Sequence, residues 1–235
     1  MTVFTVQGVV FDLDDTLMPE REYVASGYAA VARRLTGELS TPAAELERQL
    51  WEIFDSQDRG RAYDALLALH GREDRDLITE CVRTYREHTP TVRLSAAARD
   101  VLGHCLARGP VGIVTDGPEV MQAAKARALG LEAMGVHVVL SDALGGREAW
   151  KPSPRGMLEV LQRMGVSPEV AVYVGDNPTK DFLAARAAGM HSIRYRQRGQ
   201  LHADSEPAPG AQPDAEISSL TDLPSVLQWA TAKRL

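Results

Sequence analysis

Residues 6–17 read VQGVVFDLDDTL, and this stretch decides the fold. Its first half is a short, mostly apolar run that is rich in β-branched residues: Val6, Val9, Val10 and Phe11. Such a run predicts a strand that is buried on both faces. The run ends abruptly in acids at positions 12, 14 and 15. Because ligands bind outside the carboxyl ends of the strands in open α/β sheets, these acids predict a functional site.

Three acids within four residues need a physical explanation. The carboxylates of Asp12, Asp14 and Asp15 repel one another unless a positive group binds them. Mg²⁺ is a hard cation that takes oxygen ligands, and proteins often hold it by one or two carboxylates plus a substrate phosphate. A solvated acidic turn at the end of a strand is the alternative that this stretch alone leaves open.

Composition narrows the class of protein. The 235 residues suffice for one sizeable domain, or for a domain with an insertion, and a net charge of -6 without a basic stripe argues against nucleic acid as a partner. No run approaches the ~20 apolar residues of a membrane span, and no signal-peptide pattern is present. Cys81 and Cys105 fall in predicted helices, so we expect free core cysteines in a cytoplasmic protein that does not enter a membrane. The sequence does not indicate an oligomeric state.

The cations are strongly biased toward one type. The chain has 22 arginines and only four lysines, at positions 125, 151, 180 and 233. Since arginine is the default cation of this chain, a lysine at a motif position is more informative than usual.

The periodicity of apolar residues changes twice along the chain. From residue 18 to residue 92 the spacing is helical, and no strand pattern interrupts it. From residue 94 onward, strands are predicted at 111–115, 136–140, 171–174, 191–194 and 215–218, and helices at 96–107, 119–129, 155–164, 179–188 and 223–232. Residues 197–214, rich in Gly and Pro, predict a mobile loop.

Strands that alternate with helices predict an α/β fold, a Rossmann-like parallel sheet covered by helices on both faces. We expect residues 1–17 and 93–235 to form this core domain, and residues 18–92 to form a helical domain inserted into it. In a parallel sheet the carboxyl ends of the strands lie along one edge, so residues far apart in sequence converge there. Four stretches fall at such ends or in the loops after them: DLDDT at 12–16, TDG at 115–117, KP at 151–152 and GDNPTKD at 175–181.

The ordered set of these four stretches resembles the haloacid dehalogenase superfamily, in the phosphatase branch with a helical cap inserted after the first strand. That family's pattern is DxDxT after a hydrophobic strand, a second strand ending in Ser or Thr, a Lys, and an acidic motif such as GDxxxxD. Each motif alone is weak evidence, whereas all four in order are strong evidence and cover essentially the whole chain. The resemblance implies an Mg²⁺-dependent phosphatase acting on a small-molecule phosphate ester, with the cap closing over its site.

The resemblance also implies a role for each motif residue. Asp12 corresponds to the nucleophile that attacks phosphorus, and a carboxylate can form such a covalent intermediate. Asp14 corresponds to the general acid and base, and its main-chain carbonyl to a metal ligand. Since dehalogenases of the family lack that second acid, Asp14 favours phosphoryl transfer. Asp15 is interpreted as a structural acceptor in the turn.

The remaining motifs are expected to bind phosphate and metal. Thr115 and the amides of Asp116 and Gly117 would donate to phosphate oxygens. Lys151 would pair with the nucleophile and with the transferring phosphoryl group. Asp12, Asp14, Asp176 and Asp181 form the expected Mg²⁺ site, in which Asp181 binds through water or instead steadies its neighbours. Lys180 is expected to be exposed to solvent.

Other functions stay open as alternatives. A phosphosugar mutase or a dehalogenase of the same superfamily shares most of these motifs, and a non-catalytic interaction protein could keep the fold. No dinucleotide-binding GxGxxG, no GxxxxGK[ST] phosphate loop and no HExxH zinc motif is present. The identity of the phosphate ester is not indicated.

Overall fold

The apolar stretch around Val10 lies at the centre of a parallel sheet. The structure, a computed structural model, describes residues 2–56, 59–207 and 209–230. The chain divides into two compact units: Met1–Glu20 with Val92–Leu235, called the α/β unit below, and Arg21–Thr91, called the helical unit. That the helical unit acts as a cap stays a prediction.

The strands are β1 Phe4–Val6, β2 Gly8–Phe11, β3 Val111–Thr115, β4 His137–Leu140, β5 Ala171–Gly175, β6 His191–Tyr195, β7 Ala215–Ile217 and β8 Leu227–Trp229. The helices are α1 Glu20–Leu39, α2 Ala43–Asp55, α3 Ala62–Leu69, α4 Arg75–Glu87, α5 Ala96–Leu106, α6 Glu119–Leu129, α7 Arg155–Met164, α8 Asp181–Ala187 and α9 Leu223–Val226. Short 3₁₀ turns lie at Arg59–Arg61, Glu132–Met134, Ser141–Leu144, Gly146–Ala149, Pro168–Val170 and Leu220–Asp222.

The main sheet has six strands in the order β4-β3-β2-β5-β6-β7, and each neighbouring pair runs parallel. All four residues of β2 are buried, as the apolar run predicts. The register aligns Phe11 of β2 with Ile113 of β3 and with Val174 of β5. Consequently β2, β3 and β5 end side by side, and the prediction of an α/β fold with a parallel sheet is confirmed.

Helices cover both faces of this sheet. On one face, Val10 and Tyr173 pack in a single cluster with Val160 of α7 and Ala184 of α8. Successive side chains of a strand point to opposite faces, so the residues on either side of Val10 need a cover of their own. Helix α5, which contacts β3, buries Val101, Leu102 and Cys105 among its residues.

Two secondary-structure predictions are wrong. The leading strand is interrupted at Gln7, whose amide donates to Val170 O at 2.7 Å, so Val6 belongs to a separate strand. The helix predicted over residues 223–232 ends at Val226, and the chain continues as β8, which pairs in parallel with β1. Residues 231–232 of that prediction lie outside the described residues. By periodicity alone, a short apolar run fits a helix or a strand. Here the pairing with β1 makes residues 227–229 a strand.

The helical unit has its own core. Helix α1 buries Tyr23, Tyr28 and Leu35 among others, and α2 and α4 contribute Leu50 and Cys81. The aromatic rings pack edge to face, as between Tyr23 and Tyr85 at 5.5 Å. The described part of this unit contains no strand, in agreement with its helical pattern.

Two further expectations concern cysteines and membranes. Cys81 and Cys105 are free and buried, as expected for core residues. Burial raises the pKa of the two thiols to about 11 and about 12. Within the ranges that the structure describes, no helix combines the length and the apolar character that a membrane span requires.

Candidate active site

The three acids in the turn after β2 contact different partners. The amide of Asp12 donates to Val174 O at 2.8 Å, which keeps this residue beside β5. Asp15 adopts a left-handed backbone with φ 56°, and its carboxylate accepts from the amides of Glu20 at 2.8 Å and Leu201 at 2.7 Å. The interpretation of Asp15 as a structural acceptor is therefore confirmed, and Asp12 and Asp14 are left for other contacts.

Lys151 lies at the centre of the site, with its side chain 1% exposed. Its ammonium donates to Asp12 Oδ1 and to the Tyr173 hydroxyl at 2.8 Å, and lies 3.0 Å from Asp181 Oδ1. Burial alone would lower the pKa of Lys151, but the carboxylates of Asp12 and Asp181 outweigh it and raise that pKa well above its ordinary value. Lys151 is therefore a permanent positive charge beside Asp12.

Asp176, whose carboxyl group is affected by the charge of Asp12, adds a further buried acid to the site. Asp176 is buried, and one of its oxygens accepts from Thr16 Oγ1 at 3.5 Å, whereas Oδ2 has no hydrogen-bond partner among the described residues. Burial, followed by the charges of Asp12 and Asp181, raises the pKa of Asp176 to about 9. Burial also raises the pKa of Asp12 to about 7, against the opposing effect of Lys151. Two carboxylates with a buried, unsatisfied oxygen fit a hard divalent cation.

Asp181, another predicted metal residue, has a neighbouring group at each carboxylate oxygen. Asp181 Oδ1 faces Lys151, and its Oδ2 accepts from the Asn177 amide at 3.0 Å. Gly175 permits this approach, since a Cβ there would come within 2.4 Å of Asp181 Oδ2. Throughout the described residues, no group of three or more His, Cys, Asp or Glu side chains is arranged to hold one metal ion. Both Asp181 oxygens thus face other groups, whereas Asp12 and Asp176 each keep one oxygen that does not accept from Lys151 or Thr16; the metal role of all three stays a prediction.

Asp116 connects the loop after β3 with the residues at 151 and 180. Its Oδ1 accepts from the Lys151 amide at 3.2 Å, and its Oδ2 accepts from Lys180 Nζ at 2.7 Å. Although burial works in the opposite direction, the two lysines lower the pKa of Asp116. The expectation that Lys180 is exposed to solvent is wrong, because its motif position brings it against Asp116 with a side chain only 31% exposed. Thr115, at the end of β3, is buried beside this pair.

Asp14 is held by two residues of α6. Lys125 Nζ lies 2.8 Å from each oxygen of the Asp14 carboxylate, and Gln122 Nε2 donates to Oδ2 at 3.0 Å. The motif patterns did not indicate either residue, since both lie inside a helix and away from a strand end. The rarity of lysine was the one available signal for Lys125.

These residues line a cavity of about 280 Å³ that lies entirely within the α/β unit. The predicted residues along its walls are Asp12, Asp14, Thr115, Asp116, Gly117 and Asp176. Lys151 and Asp181 do not line it but contact each other next to Asp12. The structure thus brings all eight predicted residues to one place, and it adds Gln122, Lys125 and Lys180 to the walls. The functional roles of these residues stay predictions.

His202 is a further wall residue that the sequence patterns did not indicate. It belongs to the loop predicted as mobile, and the described part of that loop has several tethers. The buried guanidinium of Arg194 donates to His202 O at 3.0 Å and to Ser205 O at 2.9 Å. Gln200 Nε2 donates to Asp15 O at 2.7 Å. The Arg194 bonds connect the loop to β6, and the Gln200 bond connects it to the turn that carries the acids.

The chain is similar to known proteins over most of its length. A family model for haloacid dehalogenase-like hydrolases matches residues 6–189. Glyceraldehyde 3-phosphate phosphatase of Methanopyrus kandleri is 32% identical over 234 residues, which cover 95% of this chain and 97% of that protein. Phosphoglycolate phosphatase of Shigella boydii serotype 4 is 30% identical over 242 residues, which cover 93% of this chain and 91% of that protein.

Solved structures share the fold. A 2-haloacid dehalogenase of Pseudomonas syringae is 27% identical with a TM-score of 0.62, covering 94% of this chain and 98% of that chain. A hydrolase of Bacillus subtilis, solved with magnesium bound, is 23% identical with a TM-score of 0.65 and the same coverage. At this level of identity the second likeness concerns the fold alone.

Proposed function

The chain belongs to the haloacid dehalogenase-like hydrolase family and is a phosphatase, and on that premise we propose that it hydrolyses a small phosphate monoester through an aspartyl-phosphate on Asp12, with Mg²⁺ as cofactor. The observation that carries the proposal is the environment of Asp12. One of its oxygens is bound by the Lys151 ammonium, and Asp176 beside it presents a buried oxygen with no partner among the described residues.

The reaction is proposed in two steps. A carboxylate oxygen of Asp12 attacks phosphorus while the bond from phosphorus to the leaving oxygen breaks, and Asp14 donates a proton to that oxygen. A water molecule then attacks the phosphorus of the aspartyl-phosphate, Asp14 takes its proton, and phosphate leaves with the Asp12 carboxylate restored. Lys151 stays protonated throughout and offsets the negative charge of Asp12 and of the phosphoryl oxygens.

The residues present fit a magnesium site. Hydrolases of this family generally use Mg²⁺. In this chain the carboxylates of Asp12 and Asp176 and the main-chain carbonyl of Asp14 would hold the ion, and Asp181 would keep Lys151 in place. The bound ion would supply charge neutralisation and orientation of the phosphoryl group for in-line attack.

Phosphate binding is assigned to the loop after β3. Thr115 lies at the end of that strand. Asp116, the next residue, is held by its ion pair with Lys180. The hydroxyl of Thr115 and the amides of Asp116 and Gly117 would donate to the phosphoryl oxygens that do not leave. Lys151 would contact the same group from the side of Asp12.

The alternatives of the same family have less support. Dehalogenation does not use the second acid, and Asp14 is present with its carboxylate held in the cavity wall. A mutase would require retention of the phosphoryl group for return to a second hydroxyl, and no observation favours that. A non-catalytic interaction protein does not agree with the membership of a phosphatase family.

The substrate is proposed to be a small phosphorylated metabolite. The relatives named above act on glyceraldehyde 3-phosphate and phosphoglycolate, and these two compounds are the first to test. The purified protein should release phosphate from p-nitrophenyl phosphate and from at least one such metabolite, and addition of EDTA should abolish the release.

The nucleophile is tested by trapping. Borohydride reduces an aspartyl-phosphate to homoserine, which mass spectrometry locates, and we expect the label at position 12. Asp12→Asn should lower kcat at least about 10⁴-fold. Asp100→Asn, at an exposed position of α5, is the matched control and should behave as the wild type. Activity near the wild-type level in Asp12→Asn would overturn the proposal.

A further inference from the structure

Helix α6 presents two buried polar side chains to Asp14. Gln122 and Lys125 are each 3% exposed and lie three residues apart, so they share one face of the helix. Together they occupy both oxygens of the Asp14 carboxylate, Lys125 at 2.8 Å from each and Gln122 at 3.0 Å from Oδ2. The carboxylate is therefore fixed in position and in rotation.

Such a pair is expensive to bury, and it is a poor means of stabilising a fold. Removing an ammonium from water costs several kcal/mol, and apolar residues of similar volume often serve stability as well or better. The Lys125 side chain is 4% exposed, and that of Asp14 is 19% exposed and faces the cavity. Both residues line the cavity, but Lys125 is almost fully buried and Asp14 is the more exposed of the two, so the pair has the form of a support for the Asp14 carboxylate.

The loop after β3, which contains Asp116 and Gly117, contacts Gln122 as well. Gln122 Nε2 also donates to the main-chain oxygen of Asp116. Gly117 has a backbone φ of 134°, and a Cβ at this residue would come within 2.7 Å of Gln122 Nε2. Glycine at position 117 therefore leaves room for Gln122, which joins the loop to the Asp14 carboxylate.

We propose that Lys125 and Gln122 are positioning residues that hold the Asp14 carboxyl group where it exchanges a proton with the leaving oxygen of the substrate. The inference rests on the proposed function, in which that proton passes from Asp14 to the leaving oxygen as the phosphorus–oxygen bond breaks. General acid catalysis requires hydrogen-bond reach, and a misplacement of about 1 Å can lower the rate about 10²-fold. Neither residue needs to touch the substrate.

The test uses two leaving groups. An alkyl phosphate such as glyceraldehyde 3-phosphate leaves as a strongly basic alkoxide and needs the proton, whereas p-nitrophenolate is weakly basic and leaves without it. In Lys125→Met, we expect kcat for the alkyl ester to fall about 10²-fold with little change in KM, and kcat for p-nitrophenyl phosphate to fall less than about tenfold. Lys125→Gln, which can still donate to Asp14, should retain more activity on the alkyl ester than Lys125→Met.

The controls separate positioning from folding. Arg127→Met removes an exposed cation of the same helix and should leave both activities unchanged. A merely structural role of Lys125 would lower both activities equally, and that result overturns the inference. Should Lys125→Met fail to fold, Gln122→Met tests the inference instead, because it keeps the Lys125–Asp14 pair and removes the second donor to Asp14. We expect the same difference between the two leaving groups, but a smaller one.

Asp14→Asn distinguishes this inference from the proposed function. Near wild-type turnover of the alkyl ester by Asp14→Asn would contradict the acid–base role itself. Loss of that turnover in Asp14→Asn together with wild-type turnover in both Lys125→Met and Gln122→Met would contradict the positioning role alone.

Discussion

The two units of this protein use charge in opposite ways. In the helical unit, arginines pair with carboxylates at the surface, as Arg34 does with Glu80 at 2.7 Å with side chains 38% and 29% exposed. In the α/β unit, the three lysines within the described residues all pair with aspartates that belong to the candidate site. The carboxylates of these pairs are largely buried, and so are two of the three lysines.

The contrast indicates which charges carry function. Exposed ion pairs contribute little to stability because water and salt screen them. Buried pairs bring a desolvation cost, and removing one partner leaves an uncompensated charge. An ammonium is a compact charge with three rotatable donors, and Lys151 has contacts with Asp12, Asp181 and Tyr173 that a planar guanidinium cannot reproduce in the same space. Replacing charges of each kind tests this comparison.

Among the replacements that test this comparison, that of Lys151 is expected to have the largest effect. Lys151→Met removes the positive charge beside Asp12, the proposed nucleophile, and we expect kcat to fall about 10³-fold. Lys151→Arg should not restore the rate, because a guanidinium does not fit among the three partners. Steady-state kinetics with p-nitrophenyl phosphate measures both variants. An active arginine variant would contradict the distinction drawn here between lysine and arginine.

Replacement of Asp176 should act through the cation. Asp176→Asn removes one of the two carboxylates proposed to hold the cation, so the Mg²⁺ concentration for half-maximal activity should rise about 10²-fold. Isothermal titration with Mg²⁺ in the absence of substrate gives an independent value. Asp222→Asn, a position in a 3₁₀ turn away from the cavity walls, serves as the control. Unchanged Mg²⁺ affinity in Asp176→Asn would contradict the assignment of Asp176 as a ligand.

The excess carboxylate charge predicts a pH dependence of stability in EDTA. The pKa of Asp176 is raised from 3.8 to about 9, so between these values the folded protein binds a proton that the unfolded chain does not. The free energy of unfolding therefore falls as pH rises through this window, by at most about 1.4 kcal/mol per pH unit from this residue. Urea unfolding at pH 6 and pH 8 should show a smaller fall in Asp176→Asn than in the wild type. Equal slopes would contradict the raised pKa.

The smallest effect is expected in the helical unit. Arg34→Met removes the surface contacts with Glu80 and Glu38, and both kcat and the thermal midpoint should stay within experimental error of the wild type. Differential scanning fluorimetry and the same phosphatase assay measure the two quantities. A loss of activity here comparable with that of a site lysine would remove the distinction between the units.

The sequence predicted the site where local pattern and topology act together. Asp12, Thr115 and Asp176 each follow a buried strand, and parallel strands place their carboxyl ends on one edge. Lys125 could not be placed in this way, because it lies in the middle of α6 and its partner is more than 100 residues away in sequence. Which face of a helix turns toward a particular carboxylate depends on packing that periodicity does not specify.

Two other errors have the same cause. Lys180 precedes α8, where a lysine is ordinarily solvated, and only the loop after β3 brings Asp116 within reach. The apolar residues at 223–229 fit a helix by spacing. Residues 227–229 form a strand instead, because they pair with β1. In both cases the structure depends on a partner that is distant in sequence. The residues around each position do not indicate that partner.

The pairing of β1 with β8 has a consequence for biosynthesis. Most of these 235 residues separate Phe4–Val6 from its partner Leu227–Trp229, so β8 is translated long after β1. The small two-stranded sheet therefore cannot form on a nascent chain until residues 227–229 have emerged from the exit tunnel. Until then the opening strand has an unpaired edge, and we expect chains stalled before residue 227 to engage chaperones through it.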